Sequence, residues 1–404
     1  MNARHLYAPQ PVADATANPE HWPHFAADEL QAVDAVLRSG QINYWTGTQC
    51  REFENEYAAY TQTAHAIALT NGSVSLELAL LLLGIGPGDE VVTTPRTFIA
   101  SASCVVLRGA TPVFADVDRD SQNITAQTIE RVLSPRTKAI ILVHLAGWPC
   151  EMDGILELAR ARGIAVIEDC AQAHGAQYRG RPVGSLGDFG SFSFCQDKII
   201  TTGGEGGMLV TNDAESWSRG WSFKDHGKSF DAVYKREHAP GFRWLHESFG
   251  TNWRLTEIQA AIGRLQLRKL DGWVARRREH ASRLIDALSG IPGLRVPTPP
   301  AHIRHAYYKL YAFVEGDRLR ASWSRDRIVA EINGQGVACL MGSCSEVYLE
   351  KAFDGSPSRP AQRLQVAREL GETSLMFLVH PTLSEQTIER TCTVARDVIS
   401  RALN

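Results

Sequence analysis

The chain has 404 residues, of which 44% are hydrophobic and 22% are charged, and its formal net charge at pH 7 is −3. This length predicts one large domain with a smaller companion, and the ordinary composition excludes a disordered or collagen-like chain. The small net charge provides no overall basic field, so neither nucleic acid nor an acidic membrane surface is expected as a partner.

The predicted elements follow an irregular N-terminal arm, residues 1–25, which is rich in Pro, Asn and His. Short apolar or β-branched runs then alternate with stretches of helical spacing, which predicts a mostly parallel sheet covered by helices on both faces. The predicted strands are 66–69, 90–93, 111–114, 138–143, 165–167 and 189–194. The predicted helices are 29–38, 52–60, 73–83, 99–107 and 152–162.

The pattern changes after about residue 212. A helix near 214–222 leads into an aromatic, charged loop at 223–250, and a long helix is expected over 255–288. The remaining expected elements are a strand at 308–314 and helices at 327–333 and 386–403. We place a domain boundary near residue 275, which gives a catalytic domain over 26–275 and a smaller α+β domain over 276–404. The run Arg276, Arg277 and Arg278 is interpreted as the solvated face of the long helix.

The cysteines and the N-terminal sequence indicate the cellular compartment of the protein. The eight cysteines are scattered without a CxxC pair, which predicts reduced thiols and neither a metal site nor a disulfide framework. The N-terminus has no signal-peptide pattern, and the most apolar run, 78–85, is too short to cross a bilayer. A cytoplasmic protein with no membrane partner is therefore the expectation.

Two residues carry candidate chemistry. Asp169 stands at the end of a predicted parallel strand, the edge where open α/β sheets bind ligands, and Lys198 follows the next predicted strand. Chemistry based on pyridoxal 5′-phosphate (PLP) needs a lysine amine to hold the cofactor and a carboxylate to keep its ring nitrogen protonated. Taken singly, Asp169 is better explained as a strand-end turn residue and Lys198 as a solvated lysine.

Four sequence segments, which follow one another in order along the chain, support a functional interpretation of these two residues. They read TNGSVSLELALLLLGIGPGDEVVTTPRTFIA at 70–100, EDCAQAHGA at 168–176, GSFSFCQDKIITTGGEGGMLVTND at 190–213 and GTNWRLTEIQAAIGRLQLRKL at 250–270. Together they resemble the DegT/DnrJ/EryC1/StrS family of PLP-dependent sugar aminotransferases, from about residue 39 to the C-terminus and less strongly after 290. The resemblance implies the aspartate aminotransferase fold type I. This is an α/β fold with a mostly parallel seven-stranded sheet flanked by helices in a large PLP-binding domain, plus a smaller C-terminal α+β domain.

The resemblance also implies roles for residues around the cofactor ring. Lys198 matches the lysine that forms the Schiff base, and Asp169 matches the partner of the pyridine nitrogen. Gln172 matches the position near the ring hydroxyl, and Phe98 matches the aromatic residue that stacks on the ring. An aromatic face of this kind supplies stacking and excludes water, although core packing is the ordinary explanation of a single phenylalanine.

A second group of matches concerns the cofactor phosphate. Gly72 and Ser73 match the phosphate-binding turn, and Ser193 matches a phosphate-binding hydroxyl. Backbone N–H groups at a helix N-terminus make such a site, although an ordinary helix cap formed by Ser73 is the better explanation of the turn taken alone. Asn252 matches an asparagine that reaches the phosphate from the neighbouring subunit, which implies a homodimer with shared active sites.

Several positions remain without a role or depart from the family. Many members have an aromatic residue or histidine after the SF dipeptide, where this chain has Cys195, followed by Gln196 and Asp197. The departure leaves the substrate subtype open. The retained lysine favours transamination over the dehydration performed by relatives that carry histidine in its place. Glu205, His144 and His174 receive no assigned role.

The predicted function is amino transfer from L-glutamate or L-glutamine to a keto sugar, with a nucleotide-linked 4-keto-6-deoxy sugar as the first candidate acceptor. Alternatives are a cyclitol ketone of the scyllo-inosose type or a step in aminohydroxybenzoate or antibiotic biosynthesis. A non-catalytic regulatory protein that binds a sugar nucleotide is a further alternative, and the presence of both Lys198 and Asp169 argues against it.

Overall fold

The computed structural model describes residues 20–403, so most of the expected N-terminal arm lies outside the described residues. The strands are, in chain order, β1 His65–Leu69, β2 Glu90–Thr93, β3 Thr111–Phe114, β4 Thr137–Val143, β5 Ala165–Asp169, β6 Gln177–Tyr178, β7 Arg181–Pro182, β8 Phe189–Ser193, β9 Gly207–Thr211, β10 Leu294–Arg295, β11 Ile303–Arg304, β12 Leu310–Val314, β13 Cys339–Leu340 and β14 Ser374–Phe377. The α-helices are, in chain order, α1 Ala27–Ser39, α2 Gln49–Thr61, α3 Gly72–Leu82, α4 Ala100–Leu107, α5 Ala126–Glu130, α6 Met152–Arg162, α7 Ala214–Phe223, α8 Phe230–Tyr234, α9 Glu257–Leu288, α10 Arg325–Gly334, α11 Gln365–Thr373 and α12 Glu385–Ala402.

Seven strands within residues 20–403 form the large sheet, in the order β1-β9-β8-β5-β4-β2-β3. Strand β9 runs antiparallel to both of its neighbours, and the pairs from β8 to β3 are parallel. The predicted α/β fold with a mostly parallel sheet is therefore confirmed. Strand β9 is absent from the predicted elements because its five residues directly follow a glycine-rich turn, which shortens the apolar run.

The parallel strands direct their carboxyl ends to one edge of the sheet. Strand β5 ends at Asp169, and β8 ends at Ser193, five residues before Lys198. Helix α3 packs against β8 and β9, which brings the start of the helix to the same edge. Both faces of the central strands are buried, because helices cover the sheet on either side.

The C-terminal part has a smaller sheet of antiparallel strands in the order β10-β12-β14-β13, with α10 packed on α12. The long helix α9 contacts α1 and α2 at its start and α12 further along, so it links the two regions. The boundary predicted near residue 275 falls inside this helix and stays a prediction. Within residues 20–403, no helix combines the length and apolar character needed to cross a bilayer.

The interpretation of three consecutive arginines as one solvated helix face is wrong for Arg277. Arg278 is exposed and Arg276 is half-buried, but Arg277 is 1% exposed and lies over the ring of Trp22. Successive residues of an α-helix point about 100° apart, so a run of three cannot share one face. Burial lowers the pKa of the Arg277 guanidinium to about 9.

Candidate active site

A cavity of about 680 Å³ opens at the carboxyl edge of the large sheet. Seven of the eight residues singled out from the sequence line it: Gly72, Ser73, Phe98, Asp169, Gln172, Ser193 and Lys198. The eighth, Asn252, does not. This side chain is exposed, pairs through its backbone with Asp225, and accepts a hydrogen bond from the Arg254 N–H at 3.4 Å.

One end of the cavity, here called the anion end, lies at the start of a helix, where a negative charge would be favoured. Helix α3 begins at Gly72, and its N-cap is Asn71, whose Oδ1 accepts from the Val74 N–H at 3.0 Å. The explanation of Ser73 as a helix cap is therefore wrong. The hydroxyls of Ser73 and Ser193 line the cavity beside the positive end of the helix.

Glycine is required at position 72 by the close approach of strand β8. A Cβ at Gly72 would lie 2.7 Å from Cβ of Ser193, closer than such carbons approach each other. The Ser193 hydroxyl accepts from the Cys195 N–H at 3.3 Å, which holds it at the end of β8. The fold thus brings the start of α3 and the end of β8 together at the anion end of the cavity.

A buried carboxylate occupies the deep part of the cavity. The hydroxyl of Ser101 donates to Oδ2 of Asp169 at 2.8 Å, and the Ala171 N–H donates to Oδ1 at 3.1 Å. The Thr97 hydroxyl lies 2.9 Å from that of Ser101 and extends the chain of hydrogen bonds. Burial raises the pKa of the Asp169 carboxyl, although both hydrogen bonds act in the opposite direction. A cation opposite Asp169 would stabilise its ionised form.

Lys198 extends from a tight turn, in which its N–H donates to the Cys195 carbonyl at 3.0 Å. Its Nζ lies 3.6 Å from Oδ1 of Asp197 and 5.3 Å from the centre of the Tyr308 ring. The Tyr308 hydroxyl donates to the other oxygen of Asp197. Burial raises the pKa of the Asp197 carboxyl, but Lys198 and Tyr308 outweigh it, so the net pKa lies below the ordinary value. The amine therefore has an ionised neighbour.

Two further predicted side chains, Gln172 and Phe98, line the cavity with a polar and an apolar group respectively. Oε1 of Gln172 accepts from the Ala146 N–H at 2.8 Å, which leaves the amide NH₂ available as a donor. The Phe98 side chain is 69% exposed and lines the cavity, so core packing does not explain it. Its ring offers a flat apolar face to a bound molecule.

The two histidines left without a role are buried structural residues outside the cavity lining. His144 Nε2 contacts Glu168 at 2.9 Å, while its Nδ1 accepts from the Cys150 N–H. His174 Nε2 donates to the Ser193 carbonyl at 2.8 Å, and its Nδ1 lies 2.8 Å from the Tyr57 hydroxyl. Burial lowers the pKa of His174 to about 4, so its ring is neutral and supports the end of β8.

Sequence reasoning missed several residues that shape the site. Ser101 sits in a run of small residues that carries no chemical signal, and Tyr308 reaches Asp197 across a sequence separation of 111 residues. The backbone N–H of Ala146, which orients Gln172, has no sequence signature either. Glu205, which received no role, is exposed and lines the cavity.

The assembled site has the groups to bind an anion at the helix start and to stack an aromatic side chain on a flat ring. It can also pair a carboxylate with a cation, and it contains a lysine amine.

The sequence model of the DegT/DnrJ/EryC1/StrS aminotransferase family matches residues 23–396. The UDP-N-acetyl-3-dehydro-alpha-D-glucosamine 3-aminotransferase of Acidithiobacillus ferrooxidans is 38% identical, over 92% of this chain and 95% of that protein. The GDP-perosamine synthase of Caulobacter vibrioides is also 38% identical, over 84% and 87% of the two chains. A solved aminotransferase structure from Psychrobacter cryohalolentis superimposes with a TM-score of 0.93 and is 56% identical, over 95% of this chain and 99% of that chain.

Proposed function

The chain belongs to the DegT/DnrJ/EryC1/StrS aminotransferase family, and from this premise we propose that it transfers an amino group from L-glutamate or L-glutamine to a nucleotide-linked keto sugar. Aminotransferases of this family use PLP, so the enzyme is a PLP-dependent aminotransferase. The observation that carries the site assignment is the convergence of Lys198, Asp169 and an anion-binding helix start on one cavity. A 4-keto-6-deoxy sugar is the first candidate acceptor, and the names of the two relatives, a UDP-sugar aminotransferase and GDP-perosamine synthase, support the nucleotide-linked class.

The residues present fit PLP. Gly72, Ser73 and Ser193 would hold the phosphate, because the helix start and two hydroxyls meet where a side chain at position 72 has no room. Phe98 would stack on the ring, and the free NH₂ of Gln172 would donate to the ring hydroxyl. Lys198 would hold the cofactor covalently through Nζ. When bound, PLP supplies a protonated pyridine ring that accepts electrons from the substrate α-carbon.

The protein residues account for the proton movements. Asp169 would hold the protonated ring nitrogen, because Ser101 and Ala171 donate hydrogen bonds that favour its ionised form and a cation beside it would offset the effect of burial. As a free amine, Nζ of Lys198 would remove the α-proton of the amino donor as a general base. Asp197 lies close enough to stabilise the protonated amine until the proton is delivered. The same groups act in reverse on the ketone, so ping-pong kinetics are expected.

We also propose a homodimer with shared active sites, in a cytoplasmic setting. Asn252 lies outside the cavity of its own chain, which accords with its acting on the phosphate of a neighbouring subunit. The exposed aromatic side chains Phe242, Trp244 and Phe249 precede Asn252 in the chain and are suited to burial against a second copy.

An acceptor panel tests the proposed substrate class. The purified enzyme, loaded with PLP and then with L-glutamate or L-glutamine, would be assayed against nucleotide-linked keto sugars, free keto sugars and inososes. Turnover at least tenfold faster with a nucleotide-linked ketone supports the proposal. Turnover confined to inososes would instead favour the cyclitol alternative, and no turnover with any ketone would contradict the proposed acceptor class.

A further inference from the structure

A hydrogen bond joins the N-terminal segment to the candidate cofactor lysine. The indole Nε1–H of Trp22 donates to the backbone carbonyl of Lys198 at 3.0 Å, across a sequence separation of 176 residues. Since the N–H of Lys198 donates to Cys195, both peptide groups flanking the Lys198 Cα are held. The direction of the lysine side chain therefore depends in part on Trp22.

The Trp22 ring is in turn held by residues from two distant parts of the chain. The ring of Trp273 meets it edge-on at 5.1 Å, and Cζ of Arg277 lies 4.9 Å from its centre. The ring of His380 is stacked with the Trp22 ring, with the two ring centres 6.2 Å apart. Trp273 and Arg277 belong to α9, and His380 follows β14, so the indole is fixed by the long helix and the C-terminal sheet.

A second contact anchors the same short segment to the C-terminal region. The Glu20 carboxylate accepts from the Ser384 N–H at 3.1 Å and from the Thr387 hydroxyl at 2.7 Å, at the start of α12. A carboxylate at a helix N-terminus is favoured by the helix dipole. Residues 20–22 therefore connect the start of α12 to the Lys198 peptide.

Arg277 forms part of a second chain of contacts that leads from Trp22 to the lysine side chain. Its Nη1 donates to the Tyr308 carbonyl at 3.3 Å, and the Tyr308 hydroxyl donates to Asp197, which lies beside Nζ of Lys198. The Arg277 guanidinium is buried, and its Nε and Nη2 have no hydrogen-bond partner among residues 20–403, so the face of the Trp22 ring is an important part of its environment. Loss of the indole would disturb both connections.

We propose that Trp22 is a positioning residue for Lys198, which couples the C-terminal region to the orientation of the cofactor lysine. The inference rests on the proposed function of Lys198. Trp22 is not among the residues that line the active-site cavity, so it acts indirectly, through the turn that carries the lysine and through its contact with Arg277.

The test compares Trp22→Phe, which removes the N–H donor and keeps an aromatic ring, with the matched control Trp217→Phe. The control also removes an indole N–H, one that donates to the Ala66 carbonyl at 3.3 Å and belongs to a residue outside the cavity lining. Three quantities are measured: the pH titration of the near-visible band of bound PLP, PLP retention during dialysis, and the rate at which the amino donor abolishes that band. We expect Trp22→Phe to shift the titration and to slow the donor reaction by about threefold to tenfold, as for loss of one hydrogen bond. Trp217→Phe should stay within about twofold of the wild type.

The outcomes separate this inference from the proposed function. If Lys198→Ala retains the near-visible band, the role of Lys198 itself is wrong. If Lys198→Ala loses the band but Trp22→Phe matches the wild type in all three measurements, the positioning role is overturned. An equal effect in Trp217→Phe would indicate a general effect of losing a partly buried indole N–H and would also overturn it. Should Trp22→Phe not fold, the isosteric 3-benzothienylalanine at position 22 removes the N–H alone and is judged by the same measurements.

Discussion

The hydroxyl of Ser101 donates a 2.8 Å hydrogen bond to Oδ2 of Asp169, so the first turn of α4 orients a carboxylate at the end of β5. The two residues are 68 positions apart, and both are almost completely buried. The bond helps to keep the carboxylate ionised in a site where burial raises its pKa.

Ser101→Ala should lower kcat/KM by about tenfold, because Asp169 loses a buried donor worth about 1–2 kcal/mol. The pKa of Asp169 should rise further, since the hydrogen bond to Ser101 lowers it. Steady-state kinetics and the spectrum of bound PLP measure both effects. Ser101→Thr keeps a hydroxyl and should recover part of the loss. Equal activities of the alanine variant and the wild type would show that Ser101 has no role in orienting Asp169.

Lys198→Ala should abolish the near-visible band of the bound cofactor and lower turnover on the order of 10³-fold or more, because both the covalent link and the general base are lost. Absorbance spectra recorded before and after addition of L-glutamate measure this, and far-UV circular dichroism checks the fold. Substantial turnover by the variant would contradict the mechanism. Absence of turnover in the wild type as well would favour the non-catalytic regulatory alternative.

Gly72→Ala should weaken PLP binding by about tenfold or more, because the new methyl group would meet Cβ of Ser193 at 2.7 Å and push the helix start away from the phosphate. The matched control is Gly86→Ala, where the nearest atom to a new Cβ is 3.9 Å away. Titration of the apoproteins with PLP, followed by absorbance, gives both dissociation constants. Similar constants for the two variants would argue against a phosphate site at Gly72.

Asn252→Ala should reduce PLP retention if this side chain completes the site of a second subunit. A sharper experiment mixes the Asn252→Ala and Lys198→Ala variants, dissociates their subunits and lets them reassociate into hybrid dimers. If Asn252 acts across the interface, half of the dimers are hybrids with one intact site, and activity recovers to about one quarter of the wild type. If Asn252 acts within its own chain, no hybrid has an intact site, and the mixture shows no gain over the separate variants.

His174 should make the apoprotein less stable as pH falls from about 6.5 towards 4. Its folded-state pKa is lowered by burial to about 4, so the unfolded chain binds a proton in this window while the folded chain does not. The loss reaches about 3 kcal/mol once the pH is below both values. Urea unfolding at pH 7 and pH 5 should show a smaller pH effect in His174→Gln than in the wild type. An identical pH effect in the two proteins would mean that His174 is not responsible.

Local sequence patterns were sufficient to predict most of the helices and strands. Apolar and β-branched runs predicted the parallel strands of the large sheet, because a strand buried on both faces must be apolar throughout. Helix spacing likewise predicted α9 over almost its full length. The pattern failed at β9, whose apolar residues directly follow a run of glycines, and in the C-terminal region, where β13 and β14 were not predicted. It also failed at Arg277, because a charge run carries no information about which helix face is buried.

The sequence by itself determined the α/β fold class, the family, and seven residues that prove to line one cavity, because strand ends and glycine turns are encoded over a few neighbouring positions. Only the tertiary structure decided what supports those residues. Ser101, Tyr308 and Trp22 reach Asp169, Asp197 and Lys198 across separations of 68, 111 and 176 residues. Contacts over such distances leave no periodic trace in the chain, since they depend on how whole elements pack rather than on the local preference of any residue.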